Sequence, residues 1–197
     1  TAPDNAVTVV GVPNPTRGDA YLPVTVPITT FQSNIGKLMG GGVVVNEWFE
    51  NGVHKALIAS LFDLSVNINW TVPAQTGNIL PGANSFSNGL ANTNAIIAQT
   101  GASATTVYAA GRARLSADGG YNDWYLPSLW ELNMCYNSAA IIDKVLGTGN
   151  GFSAASYWSS TGYAYTDAFV SDFFDGSNYI ALKSSGQAAR AVRTHTF

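Results

Sequence analysis

The chain has 197 residues, of which 46% are hydrophobic and 11% are charged, and its formal net charge is −3. This length and apolar content predict one folded domain with a sizeable core. No run of Lys or Arg offers a surface for nucleic acid or anionic lipid, and no apolar run approaches the ~20 residues that span a bilayer. We therefore expect neither nucleic acid binding nor membrane insertion. The low charged fraction, with plentiful Gly, Ser, Thr, Asn and aromatic residues, is typical of extracellular, cell-surface or virion-exposed proteins.

The first 32 residues are rich in Thr, Val and Pro. Short β-branched runs are interrupted there by Pro3, Pro13, Pro15, Pro23 and Pro27. Because proline is excluded from helix interiors and is tolerated only in edge strands, residues 1–32 are predicted to form an N-terminal extended arm or strand. The main domain is predicted to occupy residues 33–197.

An Asn51-Gly52 pair lies between a β-branched run at residues 43–45 and an apolar run at residues 56–59. Asn-Gly is a strong signal for a two-residue turn, because both positions accept a positive φ. The two runs are therefore predicted to form a β-hairpin. Residues 73–90 are rich in Gly, Asn, Ser and Pro without periodicity, which predicts a long loop.

Two helices are predicted after this loop. The first begins with Asn92 or Thr93 as its N-cap and ends before Gly101, because glycine commonly follows the last helical residue. A resumption of this helix through residues 104–110 is left open. The second begins at Ser128, which forms the S-x-x-E capping box with Glu131. In such a box the two side chains satisfy backbone N–H groups of the first turn, so this helix start is well defined.

The C-terminal segment alternates large and polar residues with the period of a strand, and an Asp175-Gly176 pair is predicted to turn it into a hairpin. One face of this hairpin is predicted to carry Val170, Asp172, Phe174, Ser177 and Tyr179. Large rings mixed with short polar groups are typical of binding loops. We therefore interpret this face as an outward recognition surface.

Catalytic motifs are sparse. The two histidines lie in unrelated contexts, no G-x-S-x-G sequence occurs, and Gly147-x-Gly149-x-Gly151 fits neither a dinucleotide-binding nor a phosphate-binding loop. Cys135 is the only cysteine and is predicted to be an inert thiol on a helix face. The aspartates near the C terminus lack the spacing of an EF-hand. We therefore expect no enzymatic activity, no cofactor and no bound metal.

Two arginines lie near the end of the chain, in an otherwise apolar segment. Arg190 and Arg193 are predicted to pair with Asp118, Asp123 or Glu131, and binding of an anionic ligand is the alternative. Four tryptophans are predicted to be core or near-core rings, because each is large enough to anchor packing. They are Trp70, Trp124, Trp130 and Trp158.

Three motifs, in this order, resemble those of a known family. Residues 123–128 read Asp-Trp-Tyr-Leu-Pro-Ser, residues 157–161 read Tyr-Trp-Ser-Ser-Thr, and residues 190–193 read Arg-Ala-Val-Arg. Over roughly residues 33–195 the chain resembles bacterial and viral domains of the C-type lectin fold in the formylglycine-generating-enzyme-like branch. It is similar in particular to the C-terminal domain of the Legionella collagen-like adhesin and to the variable proteins of diversity-generating retroelements.

The resemblance implies an α+β, C-type lectin-like fold with two helices packed on short antiparallel strands and with long loops. It also implies a variable region at about residues 157–193. The varied, ligand-binding positions that it implies are Tyr163, Tyr165, Asp167, Val170, Asp172, Phe174, Asp175, Ser177 and Tyr179. The enzymatic relatives use reactive cysteines and the sugar-binding C-type lectins use a calcium loop, and this sequence lacks both features.

The resulting hypothesis is a non-enzymatic protein whose diversified C-terminal segment binds a protein or another cell-surface ligand. A fixed-specificity adhesin or glycan-binding module is the alternative. The sequence leaves the oligomeric state open, a monomer included.

Overall fold

The computed structural model describes residues 6–9, 24–27, 32–78, 82–99, 105, 107–147 and 150–197. The chain divides into two units, Thr1–Ser33 and Asn34–Phe197. In the first unit, strand β1 (Ala6–Val9) pairs antiparallel with strand β2 (Val24–Pro27). The division lies one residue beyond the predicted end of the N-terminal arm.

The described part of the second unit is a mixed α+β domain. Its strands are β3 (Leu38–Met39), β4 (Gly42–Glu50), β5 (Val53–Ser60), β6 (Ser65–Ile68), β7 (Ser156–Gly162), β8 (Asp167–Asp172), β9 (Asn178–Leu182), β10 (Gln187–Ala189) and β11 (Val192–Thr196). Its α-helices are α1 (Gly89–Gln99), α2 (Ala109–Arg114) and α3 (Leu129–Leu146). The structure describes one helix more than the two predicted, since α2 is a separate helix that begins within the segment 104–110 where a resumption of the first was left open. Its six residues have no side-chain cap to mark it as separate.

The strands of this unit form two sheets. One sheet has the order β11-β5-β4-β3, and the other has the order β6-β10-β7-β8-β9. Neighbouring strands are antiparallel except for the parallel pair β10 and β7. The predicted class, α+β with antiparallel strands, is confirmed at this level. Strand β9 is an edge strand, so the C-terminal hairpin lies at the border of its sheet.

The Asn51-Gly52 hairpin is confirmed. Glu50 pairs with Val53 across the turn, and the φ angles of Asn51 and Gly52 are 51° and 80°. Positive φ at both central residues is what a type I′ turn requires, and Asn and Gly tolerate it best. The two strands are longer than the apolar runs that predicted them.

The two predicted helix starts have different outcomes. The capping box of α3 is present, with the Ser128 hydroxyl accepting from the Glu131 N–H and the Glu131 carboxylate accepting from the Ser128 N–H. The predicted N-cap of α1 is wrong, because α1 begins at Gly89 and the Asn88 side chain accepts from the N–H of Ala91 at 2.9 Å. The expected end at Gly101 lies outside the described residues.

Asn92 and Thr93 have polar roles away from the helix start, and these explain the error. The Asn92 Oδ1 atom accepts from the Ser85 N–H at 2.9 Å, and the Thr93 Oγ1 atom accepts from the Leu126 N–H at 3.0 Å. Both side chains are fully buried. They fix neighbouring loops to α1. From the sequence alone, an Asn or Thr in this role looks the same as a helix N-cap.

Three tryptophans occupy one apolar cluster in the core, as predicted. Trp70, Trp124 and Trp158 have no exposed surface. The Trp70 Nε1 atom donates to the Ser159 carbonyl at 2.7 Å, and the Trp158 Nε1 atom donates to the Ile68 carbonyl at 2.8 Å. The indole N–H groups are therefore satisfied inside the core, which links the strands that carry them.

A second apolar cluster lies beneath α3, where Leu132, Cys135 and Ile142 pack with Tyr157 and Phe173. Cys135 is fully buried, and burial raises the pKa of its thiol. A protonated, inaccessible thiol is a poor nucleophile. The sulfur therefore contributes packing and no evident chemistry.

Trp130 is the exception among the predicted core tryptophans. It is 46% exposed, at the start of α3, so its assignment to the core is wrong. Its neighbours Leu129 and Glu131 are buried, and the Trp130 side chain points away from them.

Candidate recognition surface

Two turns carry most of the predicted ligand-binding residues. The β7–β8 turn spans residues 163–166 and the β8–β9 turn spans residues 173–177. The rings they carry are exposed, with Tyr163 at 60%, Tyr165 at 64% and Phe174 at 81%. Since β8 runs from one turn to the other, and a strand rises about 3.3 Å per residue, the turns lie roughly 17 Å apart. The predicted residues thus form two groups.

The first group is Tyr163, Tyr165 and Asp167. The N–H of Tyr163 donates to the Asp167 carbonyl at 3.1 Å, which closes the turn. The Tyr163 ring stands edge-on to Phe169, with centroids 5.4 Å apart. The Asp167 side chain accepts from the Thr166 hydroxyl at 2.7 Å. Both tyrosine rings remain available to a ligand.

Lys183 fixes this first turn from beneath. Its side chain is buried, and its Nζ donates to the carbonyls of Asn78, Ala164 and Tyr165 at 2.7–2.8 Å. The ammonium also lies 5.1 Å from the centroid of the Trp70 ring. Burial lowers the pKa of Lys183, while the Asp167 charge acts in the opposite direction. All three ammonium donors are engaged, so the lysine holds the backbone of the turn and not a ligand.

The second group is Asp172, Phe174, Asp175, Ser177 and Tyr179. The Asp172 Oδ1 atom accepts from the Phe174 N–H at 2.7 Å, and the Asp175 Oδ1 atom accepts from the Ser177 N–H at 2.8 Å. Hydrogen bonds from Ser177 lower the pKa of Asp175. These short side chains set the turn, in the manner of Asx turns, and leave the Phe174 ring exposed.

Two further contacts join the second group to the sheet. The Tyr179 hydroxyl donates to the Ser156 Oγ atom at 2.8 Å, and the Ser156 hydroxyl donates to Asp172 at 3.2 Å. Gly176 has a φ of 80°, and a Cβ there would lie 2.5 Å from the Tyr136 ring. The turn therefore packs closely on α3 and is positioned by it.

The expectation that Val170 faces outward is wrong. Val170 has no exposed surface and packs with Trp158 and Ala168 in the core. The opposite face of β8 is also covered, since Ser171 is buried and donates to Asn133 of α3 at 3.4 Å. Because β8 is covered on both sides, sequence alternation along it does not separate an inner face from an outer one. With Val170 buried between them, the remaining predicted residues form the two separate groups at the ends of β8.

Three exposed apolar residues near the first group lie outside the predicted set. Phe86, Ile180 and Leu182 are 55%, 44% and 55% exposed. Ile180 pairs across strands with Phe169, whose ring lies 5.1 Å from that of Phe86. Alternation within β9 could have identified Ile180 and Leu182, whereas Phe86 lies in a loop without periodicity.

The two arginines belong to the framework behind these surfaces. Arg193 forms a two-pronged pair with Asp123, at 2.6 and 2.8 Å, which confirms one predicted partner. Arg190 pairs with Asp63 at 2.7 Å, a partner that was not predicted. Hydrogen bonding to Arg193 lowers the pKa of Asp123. Both guanidinium groups are buried and engaged by protein acceptors, so they are structural.

A large cleft lies elsewhere, between the β4–β5 hairpin and the starts of α1 and α3. It has a volume of about 540 Å³. Its exposed apolar lining is formed by Phe49, Leu90 and Trp130, with Trp48 and Tyr125 beside them. Lys55 pairs with Glu50 at its border. None of the nine predicted residues contributes to this cleft, which is thus a separate candidate site.

The described residues contain neither a metal-binding cluster nor a membrane-spanning helix. No cluster of three or more His, Cys, Asp or Glu side chains there is arranged to hold a metal ion. Across the same described ranges, no helix has both the length and the apolar character needed to cross a bilayer.

Taken together, these observations define a mixed α+β domain that presents aromatic-rich turns on a buried, hydrogen-bonded framework. The Lcl C-terminal domain family matches residues 60–193, more than half of the chain, and the chain belongs to this family. The resemblance carried by the sequence motifs is thereby confirmed.

Among solved structures, the chain is similar to a fimbrial protein from Bacteroides ovatus. The sequence identity is 16% and the TM-score is 0.50, over 73% of this chain and 36% of that chain. At this identity the likeness concerns the fold alone, and the chain spans about a third of the fimbrial protein. A comparison with curated proteins finds no match.

Proposed function

We propose that this chain is a non-enzymatic ligand-binding protein with a C-type lectin-like fold, displayed outside the cell or on a virion. Its C-terminal turns bind a protein or another ligand on a cell surface. The observation that carries the proposal is the exposure of Tyr163, Tyr165 and Phe174 on turns whose backbones are fixed from within. Rigid turns with exposed rings lose little entropy on binding, because few side-chain torsions remain to be ordered.

Family and fold support an adhesin-like role. The chain belongs to the Lcl C-terminal domain family, and a fimbrial protein is among the solved structures to which it is similar. Aromatic residues are enriched at the centres of protein interfaces, where they dominate the binding energy. The mixture of rings with Asp175 and Ser177 provides both apolar area and adjustable hydrogen bonds.

We further propose that a diversity-generating retroelement diversifies the segment at about residues 157–193. The exposed positions of this segment tolerate substitution, since surface changes usually alter stability by within ~0.5 kcal/mol. Val170 is excluded from the proposed contact set because it is buried. The remaining set is Tyr163, Tyr165, Asp167, Asp172, Phe174, Asp175, Ser177 and Tyr179.

The coding DNA tests the diversification directly. A nearby near-copy of the segment, differing from it at adenines and accompanied by a reverse transcriptase gene, is the expected result. Finding the flanking DNA without such a copy would assign the chain to the alternative, an adhesin of fixed specificity.

The cleft beside Trp130 favours that alternative as a second candidate function. It exposes aromatic and polar groups, and apart from Thr194 its lining residues all precede the proposed variable segment. A fixed glycan or protein segment would bind there through rings whose identity does not change. In that case the C-terminal turns would be dispensable for binding.

A binding experiment separates the two candidates. The fluorescently labelled chain is applied to a panel of intact bacterial and animal cells and to a glycan array. A variant with four substitutions to serine, at Tyr163, Tyr165, Phe174 and Tyr179, is expected to lose binding. Trp130→Ala is expected to leave binding unchanged. Phe62→Ser is the matched control, because Phe62 is 67% exposed outside both surfaces. The reverse pattern would contradict the proposal and favour the cleft.

A further inference from the structure

We propose that two copies of this chain associate through their β9 strands, paired antiparallel about a twofold axis at Ile180. The pairing extends the five-stranded sheet of each copy into one continuous ten-stranded sheet. It requires three properties of β9. Its outward N–H and C=O groups must be free, its edge must lack the features that block strand pairing, and its side chains must be complementary to those of a second, antiparallel copy. The association does not depend on the proposed function.

The hydrogen-bond ladder shows which backbone groups of β9 are free. The Asp172 N–H donates to the Ser177 carbonyl at 2.8 Å, and the Lys183 N–H donates to the Thr166 carbonyl at 2.7 Å. Alternate residues of an antiparallel strand bond to the same neighbour, so Tyr179 and Ala181 also bond to β8. The N–H and C=O groups of the intervening residues, Asn178, Ile180 and Leu182, therefore point away from the sheet.

One of these outward groups is already used. The Leu182 carbonyl accepts from the Ser185 N–H at 2.8 Å. In the part of the chain that the structure describes, the N–H and C=O groups of Ile180 and Asn178 and the Leu182 N–H have no partner, so they remain for another strand. A twofold axis at Ile180 lets the two copies of this residue exchange both of their hydrogen bonds.

Strand β9 lacks the usual devices that prevent edge pairing. Charged side chains, proline and bulges commonly protect an edge, and β9 has none of them. The opposite edge of the same sheet differs, because β6 is short and its pairing with β10 is interrupted by a register shift. Of the two edges of this sheet, β9 is therefore the more regular template for a second strand.

The sequence of β9 is complementary to itself about Ile180. Tyr179 of one copy faces Ala181 of the other, so a large side chain meets a small one. Asn178 faces Leu182, and no charged residue faces another across the pair. A symmetric interface needs a surface that matches its own copy, and this strand meets that condition.

Apolar side chains beside β9 add to the interface. Ile180 and Leu182 lie on the same face of the sheet as Phe169, and Phe86 packs against Phe169. Pairing brings the two copies of this apolar strip together on one face. Exposed apolar surface of this kind commonly marks an interaction site, because burying it removes it from water.

The pairing also has a consequence that rests on the proposed function. Antiparallel alignment places the β8–β9 turn of one copy at the same end as the β7–β8 turn of the other. Between copies these two turns are three strand spacings apart, roughly 14 Å, and they lie at the same end of the ten-stranded sheet, whereas within one copy they lie at opposite ends of β8. Each end of the sheet thus carries both groups of ligand-binding residues.

Sedimentation velocity of the full chain over a range of concentrations tests the association. The wild-type chain is expected to shift from monomer to dimer as concentration rises, and Ile180→Lys is expected to remain monomeric because two like charges would face each other. Val66→Lys is the matched control, since Val66 is 74% exposed on the β6 edge and should leave the dimer intact. A wild-type chain that remains monomeric throughout, or a dimer that survives in Ile180→Lys, would overturn the proposal.

Disulfide trapping tests the register independently of how well the lysine variant folds. Facing residues that do not exchange hydrogen bonds have Cα atoms about 4.5 Å apart, which suits a disulfide, and Tyr179 of one copy and Ala181 of the other form such a pair. A mixture of Tyr179→Cys and Ala181→Cys chains should form a covalent dimer under mild oxidation, while Val66→Cys should not, and buried Cys135 should not react. A dimeric wild-type chain whose mixed cysteine variants fail to crosslink would overturn the β9 register. Neither result uses ligand binding, so failure of the proposed function would be recognised separately.

Discussion

Asp123 and Arg193 illustrate how single residues hold the framework together. Arg193 is buried, and beyond the pair with Asp123 it donates to the Gly40 carbonyl at 3.2 Å and lies 3.9 Å from the Tyr121 ring centroid. A planar guanidinium can make these contacts at once, whereas a lysine ammonium cannot. The last strand is thereby fixed to two distant loops.

The Asp123 pair predicts a specific dependence of stability on pH. Arg193 lowers the pKa of the folded carboxyl below its ordinary value of 3.8, so Asp123 stabilises the fold at pH values above its unfolded pKa. This stabilisation is lost as the pH falls through the lowered, folded pKa. Because the Asp123 side chain is half exposed, we expect it to be under about 1 kcal/mol.

Urea unfolding of Asp123→Asn and the wild-type chain at pH 6, 4 and 2.5 measures this contribution. The difference in free energy of unfolding should be largest at pH 6 and should shrink below about pH 4. A difference that stays constant over this range would mean that the Asp123 charge does not contribute.

At the scale of elements, the β7–β8 turn depends on Lys183. Lys183→Met should remove three hydrogen bonds to backbone carbonyls while keeping most of the apolar stem. Hydrogen bonds from charged donors contribute about 1.5–3 kcal/mol each, with losses that overlap, so we expect a destabilisation of about 3 kcal/mol. Amide hydrogen exchange should also become faster in residues 163–166, where the turn loses its support.

Lys144→Met is the control for this experiment, because Lys144 is exposed on α3. It should change the free energy of unfolding by less than about 0.5 kcal/mol. Equal effects of the two substitutions, or unchanged exchange in the turn, would show that Lys183 does not hold it.

Elements with local chemical signatures can be predicted from the sequence. The Asn51-Gly52 turn and the Ser128 capping box are determined by their own residues, so both predictions are confirmed. The predicted start of α1 is wrong because Asn92 and Thr93 bond to distant loops instead of capping the helix. Side-chain chemistry identifies a hydrogen-bonding residue, but the partner depends on the tertiary fold.

The candidate recognition surface also shows that a sequence pattern does not reveal which residues the tertiary fold buries. Exposure of Tyr163, Tyr165 and Phe174 agrees with the motif-based prediction, whereas Val170 is buried. Alternation predicts a face only when one side of a strand meets solvent, and β8 is covered on both sides. The two groups are separate because their turns lie at opposite ends of β8. The alternation of residue types alone does not predict this separation.

At the scale of the whole molecule, the domain separates a buried framework from replaceable surface residues. Trp70, Trp158 and the paired arginines lie inside. The exposed rings lie on turns that Lys183 and α3 position. Such a division lets surface side chains change without altering the fold, which a diversified or adaptable binding protein requires.

The most direct test of this division is urea unfolding of the variant with serine at Tyr163, Tyr165, Phe174 and Tyr179. We expect cooperative unfolding and a total loss below about 2 kcal/mol, since each exposed substitution costs within ~0.5 kcal/mol. Trp158→Ala, which empties part of the core, should cost about 3–5 kcal/mol in the same assay. A surface variant that unfolds as easily as Trp158→Ala, or without cooperativity, would contradict the separation of recognition surface from framework.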